Sequence, residues 1–321
     1  MQNERAMHGY APELFAGRYE ILGEVGRGGC AIVVEARDVN LHRLVAIKIL
    51  KERHVDAAAR ERFAREARVA AAIHHPNVCA VTDAGRLADG RAFLVMERLW
   101  GETLRACLQR VGSLDAEVAI DLAIQMLSGL DAAHSLGIVH RDLKPDNVFL
   151  VQRNGCMPIA KILDFGMCRR AILDLDAPID DKTLTRAGTV VGTPEYMAPE
   201  QAAGKRAFDA RIDIYAVGLL LYEALSGQRM YEGSDPRAVL VSVLTKRLPP
   251  LRSFRPDLPA GVERVVARAM ERDPGARFAT ARQFQEALLT AKTTLQRRSG
   301  EIVREQTEWE LPTRRFVRAA G

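Results

Sequence analysis

The chain has 321 residues, 48% hydrophobic and 27% charged, the usage of a folded protein with material for about two compact units. A formal net charge of +5 without basic clusters carrying interleaved aromatics gives no expectation of nucleic-acid binding. The best apolar run, Ile214 to Tyr222, stops at Glu223, well short of the roughly 18 residues a membrane helix needs. Met1 to Tyr10 has no basic region followed by an apolar stretch, so a secretory leader is not expected. Cys30, Cys79, Cys107, Cys156 and Cys168 are scattered without CxxC spacing, which argues against a disulfide framework or a zinc site and for a cytoplasmic location. Only eight of the 46 basic residues are lysines, so each lysine carries information.

In chain order, Tyr19 to Val25, Ala31 to Ala36 and Leu44 to Leu50 are apolar or alternating runs separated by Gly-rich or polar turns, the pattern of a small antiparallel sheet. Ala57 to Ile73 has the amphipathic spacing of a helix, with Phe63, Ala67, Ala70 and Ile73 on one face, and Pro76 ends it. Val78 to Ala84 and Ala92 to Met96 read as two further strands. From Leu104 the periodicity is mainly helical, over Ser113 to Ser135, Ile212 to Leu225, Pro236 to Leu244, Gly261 to Glu271 and Thr280 to Thr294. The expected fold is α+β: a small β-rich part, then a larger helical one. Residues 291–321 are expected to form a polar tail, partly helical at most.

The chemistry-bearing residues begin with Gly26-Arg27-Gly28-Gly29-Cys30-Ala31 between two expected strands. Glycines there let backbone approach phosphate oxygens with no Cβ in the way, although a flexible hairpin would carry the same signature. No helix opens after it and no GK[ST] follows, so it is neither a Rossmann fingerprint nor a Walker A loop. Lys48 lies inside the apolar strand Val45-Ala46-Ile47-Lys48; a buried lysine wants an anion, and Glu66 on the following helix is the natural partner, a solvated strand edge being the alternative. His140-Arg141-Asp142-Leu143-Lys144-Pro145-Asp146-Asn147 is a poor core segment, but it offers a carboxylate base, a cation and an amide oxygen within one loop. Asp164-Phe165-Gly166 follows a strand-like run, and a carboxylate at a strand end beside a glycine hinge suits an oxygen-ligated Mg²⁺.

Taken in order, the glycine loop, Lys48, Glu66, the His140 to Asn147 loop, Asp164-Phe165-Gly166 and Ala198-Pro199-Glu200 resemble the eukaryotic-type protein kinase family across roughly residues 19 to 290. Asp213-Ile214-Tyr215-Ala216-Val217-Gly218 and Asp273-Pro274-Gly275-Ala276-Arg277-Phe278 extend the match. The Ala- and Arg-rich composition and Gln201 after Glu200 are similar to bacterial serine/threonine kinases. The resemblance implies a bilobal kinase fold: a tail over 1–18, an N-lobe over 19–98 with one regulatory helix, a mainly helical C-lobe over 99–290 and a tail over 291–321.

The resemblance also implies roles. Gly26 and Gly28 would cover the phosphates of ATP, and Lys48, salt-bridged to Glu66, would contact the α/β-phosphates. Asn147 and Asp164 would hold Mg²⁺. Asp142 would orient the acceptor hydroxyl and take its proton, and Lys144 would neutralise charge on the transferring phosphoryl group. Adenine would lie between the lobes, walled by Val33 and Ala46, with Met96 as gatekeeper and the backbones of Glu97 and Leu99 as hinge contacts. Glu102 would meet the ribose or serve as an exposed helix-capping acid. Lys144, with Gly192-Thr193-Pro194-Glu195-Tyr196, matches the branch that phosphorylates serine and threonine of proteins, Thr193 bonding Asp142 and Lys144. Ala31 replaces the third loop glycine, a small stiffening.

Arg141 beside the catalytic carboxylate calls for an anion. Phosphorylation of Thr185 or Thr189, in trans between two copies in a transient homodimer, would supply it, pairing with Arg141 and Arg169. Asp213 is expected to brace the loop around Arg141, and Arg277 to pair with Glu200. A pseudokinase scaffold is the alternative from another class, and Lys48, Glu66, Asp142, Asn147 and Asp164 together speak against it. A small-molecule phosphotransferase would not need the Gly192 to Glu200 segment.

Overall fold

The computed structural model describes residues 14–28, 31–51, 67, 70–153, 155–165, 194–204, 208–233 and 235–301, with side chains as far as 296. The chain divides into two compact units, the first holding the described residues up to His74 and Cys79–Leu99, the second holding the rest.

The first unit is built on a five-stranded antiparallel sheet of β1 (Tyr19–Arg27), β2 (Ala31–Asp38), β3 (Arg43–Leu50), β4 (Val81–Arg86) and β5 (Ala92–Glu97), ordered β1-β2-β3-β5-β4. The β-branched runs Ile32-Val33-Val34 and Val45-Ala46-Ile47 fit a pleated, half-buried surface. One face packs Tyr19, Ala36, Val45, Ile47, Phe93 and Val95 together; the other gathers Ala31, Leu50 and Leu94 under Ala67 and Ala70. Those two alanines are all that the structure describes of the expected 57–73 helix up to residue 70, so Phe63 and Glu66 lie outside the described residues. At the sheet's edge the Tyr19 hydroxyl donates to Asp83 at 2.7 Å, and Arg18 forks onto the buried Asp38 at 3.0 and 2.7 Å.

The second unit pairs a small sheet of β6 (Gly101–Thr103), β7 (Val148–Val151) and β8 (Ile159–Ile162) with helices α1 (Leu104–Val111), α2 (Ala116–Ser135), α3 (Pro199–Ala202), α4 (Arg211–Ser226), α5 (Pro236–Thr245), α6 (Ala260–Ala269) and α7 (Ala281–Glu301). Asp115 caps α2 through the Glu117 N–H, so this helix starts three residues later than the periodicity of Ser113 onward suggests. Every residue of α4 from Ile212 to Leu225 is buried, which accounts for an apolar run without a polar face. No helix among the described residues is long and apolar enough to cross a membrane.

The C-terminal helix runs on across the 290/291 division. Phe284, Leu288, Ala291 and Leu295 are all buried at helical spacing, and Lys292 pairs with Asp121 of α2 at 2.5 Å. The apolar stripe therefore continues as far as Leu295 and α7 runs on to Glu301, the helical part of the expected polar, partly helical stretch. Composition alone concealed it, because the tail's charges occupy the other positions of the same turns.

Candidate active site

In the first unit, strand register collects the expected nucleotide residues. Val33 lies opposite Lys48 and Lys48 opposite Leu94; one step of two along, Glu35 lies opposite Ala46 and Ala46 opposite Met96. Opposed residues, and residues two apart, share a face. Val33, Ala46, Lys48 and Met96 thus line one face of the sheet, with Lys48 only 6% exposed. Gly26 pairs with Val33, and the Gly28 N–H donates to Ala31 O at 2.9 Å, so the loop begins beside the same face.

Among the described residues, a Cβ added at Gly26 would meet nothing within 4 Å, and one at Gly28 only Ala31 O at 3.8 Å; neither residue has positive φ. Packing among the described residues therefore does not demand these two glycines. They leave open a surface that a side chain would fill, which fits backbone approach to phosphate oxygens.

In the second unit, the loop around Asp142 is held by backbone contacts to buried side chains. Asp213, at the start of α4, accepts the His140 N–H at 2.8 Å, the Arg141 N–H at 2.9 Å and His134 Nε2 at 2.8 Å. Arg141 stands at φ 68°, a left-handed conformation unusual for a residue with a side chain. The buried His140 accepts the Asp142 N–H on Nδ1 at 3.3 Å and donates from Nε2 to Leu163 O at 2.8 Å, which sets its tautomer. The ring also packs 4.9 Å from that of Phe165.

The Leu163 peptide is clamped from both sides, its N–H on Asn147 O at 2.8 Å and its carbonyl on His140. This brings Asp164 up beside Asn147, and Asp164 takes φ 54° as the chain turns off β8. Asn147 Nδ2 donates to Asp142 O at 2.8 Å, so the amide presents its oxygen in the other direction. Two oxygen donors, one a carboxylate, are the usual protein share for Mg²⁺ whose other ligands are phosphate and water. Lys144 Nζ lies 3.3 Å from Asp142 Oδ2, a cation beside the carboxylate that would face an acceptor hydroxyl.

Residues 19–289 match the protein kinase domain family. The chain belongs to that family. This kinase is 36% identical over 282 residues to the serine/threonine-protein kinase pkn3 of Myxococcus xanthus, covering 87% of this chain and 51% of the relative. It is 39% identical over 278 residues to Pkn1 of the same organism, covering 86% and 38%. The chain thus spans about half or less of these relatives' length. Among solved structures it is similar to the PknI kinase domain of Mycobacterium tuberculosis, with TM-score 0.67 and 26% identity, covering 87% of this chain and 97% of that one.

Of the residues singled out in the kinase sequence, Asp142, Lys144, Asn147 and Asp164 come together in the second unit, and Gly26, Gly28, Val33, Ala46, Lys48 and Met96 in the first. Glu66, Thr183, Thr185, Thr189, Thr193, Cys30, Cys168 and Arg169 lie outside the described residues. Glu102 is engaged with Arg110 at 2.5 Å, and it is Thr103 that caps α1, accepting the Ala106 N–H at 3.2 Å. The capping role expected of Glu102 therefore belongs to its neighbour, whose shorter side chain reaches back to its own helix. Arg277 forks onto Glu200 at 2.7 Å through both terminal nitrogens, as expected.

One cluster beside the kinase site had no signal in the sequence. Arg105 of α1 donates to Glu223 at 3.0 Å and to the Tyr196 hydroxyl at 2.8 Å, and reaches Asp146, next to Asn147, at 3.4 Å. Tyr196 in turn donates to Glu223 at 2.5 Å, and burial beside that carboxylate pushes the phenol well above its ordinary pKa. The partners stand 91 and 118 residues from Arg105 along the chain, beyond any local pattern. Gln201 likewise links α3 to the loop, donating to Arg141 O at 3.1 Å.

Proposed function

We propose that this chain is an ATP-dependent serine/threonine protein kinase that transfers the γ-phosphoryl group of Mg-ATP to protein hydroxyls. The observation that carries the reading is the clamped Leu163 peptide, which sets Asp164 beside Asn147 and both next to the Asp142 and Lys144 pair. A scaffold without chemistry has no use for that convergence of a base, a cation and two oxygen ligands.

In this reading Asp142 Oδ accepts the hydroxyl proton of serine or threonine as its oxygen attacks the γ-phosphorus and the bond from that phosphorus to the β,γ-bridging oxygen breaks, with ADP as the leaving group, while Lys144 offsets charge on the phosphoryl oxygens. Asn147 and Asp164 hold Mg²⁺, which when bound neutralises phosphate charge. Lys48, paired with Glu66, orients the α/β-phosphates, Gly26 and Gly28 cover them, and Glu102 meets the ribose. Val33, Ala46 and Met96 contact the adenine faces, with the Glu97 carbonyl and Leu99 N–H on its edge. The protein's share is positioning and electrostatics, because phosphoryl transfer needs little covalent help. ATP as donor and scattered thiols accord with a cytoplasmic location. Phosphorylation of Thr185 or Thr189 in trans, in a transient homodimer, supplies the anion for Arg141, and Thr193 bonds Asp142 and Lys144 in the active state.

Incubation with Mg-ATP, followed by mass spectrometry of phosphosites beside an Asp142→Asn control, tests this. Phosphothreonine between Thr183 and Thr193 only in the unaltered chain is expected. Nucleotide binding with no phosphate gained on this chain or on a protein substrate would overturn it.

A further inference from the structure

Glu97 is the last residue of β5 to pair with β3, opposite Val45, and it is fixed on its other side by Ala80. Its N–H donates to Ala80 O at 3.0 Å and its carboxylate accepts the Ala80 N–H at 2.8 Å. Arg98, the next residue, reaches back over β3 to β2, where Nε donates to Glu35 at 2.7 Å. Its Nη1 donates to the carbonyl of Leu99. Both charged side chains are largely withdrawn from water, 12% and 24% exposed. Glu35 shares a face with Ala46 and Met96, so the ion pair borders the surface assigned to adenine.

The consequence is chemical. Adenine presents an amino donor at C6 and an acceptor at N1, which the Glu97 carbonyl and Leu99 N–H complement. A purine with a further amino group at C2 would aim it at the Leu99 carbonyl. That oxygen already accepts from a guanidinium, whose positive charge repels a second donor. We propose that Arg98, anchored by Glu35, is a positioning residue that makes the site select adenine over 2-amino purines by committing the Leu99 carbonyl. The proposal rests on the reading that residues 97–99 meet the base.

Calorimetric affinities of the full chain for ADP and for its 2-amino analogue, the 2,6-diaminopurine riboside diphosphate, give a ratio independent of the fraction folded. The unaltered chain should prefer ADP. Arg98→Ala should shift the ratio toward the analogue by about fivefold, the worth of one neutral hydrogen bond. Glu35→Gln, which keeps the side chain's shape and removes the anchoring charge, should shift it in the same direction by less. ADP binding by the unaltered chain with ratios unchanged in both variants would overturn the proposal. Absence of ADP binding by the unaltered chain would remove the nucleotide reading itself and the proposal with it.

Discussion

Arg141 holds its left-handed backbone, φ 68°, with its N–H on Asp213 Oδ1 at 2.9 Å, a contact spanning 72 residues of sequence. The same carboxylate takes the His140 N–H, so one buried side chain fixes the two peptide planes on either side of His140. The backbone leading into the proposed base is thus held from α4 as well as from its own loop, where His140 Nδ1 accepts the Asp142 N–H.

Asp213→Asn tests that dependence. The amide can accept one backbone N–H but turns a donor toward the other, leaving a buried group unsatisfied at a cost of about 2–3 kcal/mol. Misplacing Asp142 by even a fraction of its bond length to the acceptor should lower kcat by about tenfold or more. Urea unfolding and steady-state kinetics on one preparation read both; unchanged kcat would separate the loop's geometry from Asp213.

Arg277 is fully buried against Glu200. It also donates to the carbonyls of Arg211, Glu271 and Arg272, and lies 4.8 Å over the Tyr215 ring. Arg277→Met leaves Glu200 as an unpaired buried charge and should cost about 3–5 kcal/mol. Adding Glu200→Leu should recover part of this. The remainder measures the three carbonyls, and a double mutant no more stable than the single one would show that the ion pair itself carries little.

The Arg105 cluster should respond to geometry as well as charge. Arg105→Ala leaves Glu223 with Tyr196 and with Arg229 at 3.6 Å, so the loss should be near 2 kcal/mol rather than that of a fully abandoned carboxylate. Arg105→Lys should rescue less than half, because an ammonium cannot span three acceptors as a planar fork does. Full rescue by lysine, read by denaturant midpoints, would reduce the cluster to a point charge.

The titration of buried acids predicts alkaline sensitivity. Burial raises the Cys107 thiol to about 11 and the Tyr222 phenol to about 12. Both groups hold their protons more tightly folded than unfolded. Their contribution is therefore complete below the ordinary values of 9.0 and 10.0 and declines as pH rises through the window up to about 12. At the acid end the sign reverses for Asp38, which hydrogen bonding to Arg18 holds below the ordinary carboxylate value, so its contribution is lost as pH falls below that range. Thermal melts from pH 3 to 11 should show a plateau with decline on both flanks. Peptide-resolved alkylation at pH 8 should modify the exposed Cys156 rapidly and the buried Cys107 only on unfolding.

Sequence by itself marked out the candidate residues for the proposed chemistry. Lys48, Asp142, Asn147 and Asp164 are residues whose type is costly or unproductive elsewhere: a lysine in an apolar strand, acids and an amide crowded around a proline. Alternation over β2, β3 and β5 also fixed which of their residues share a face, since the side-chain period of a strand is two. Tertiary structure decided how those residues are held. The Leu163 clamp, Arg105 with Glu223 and Arg98 with Glu35 each join segments far apart in the chain, and no local spacing marks them; the brace of Asp213 on the Arg141 loop is such a contact too, but one that the resemblance implies. The course of α7 through 291–301 belongs to the same class, since a stripe of Ala291 and Leu295 gains meaning only against α2. Local chemistry is written in residue types, but a buried polar partner is chosen by whichever group the fold brings within about 3 Å.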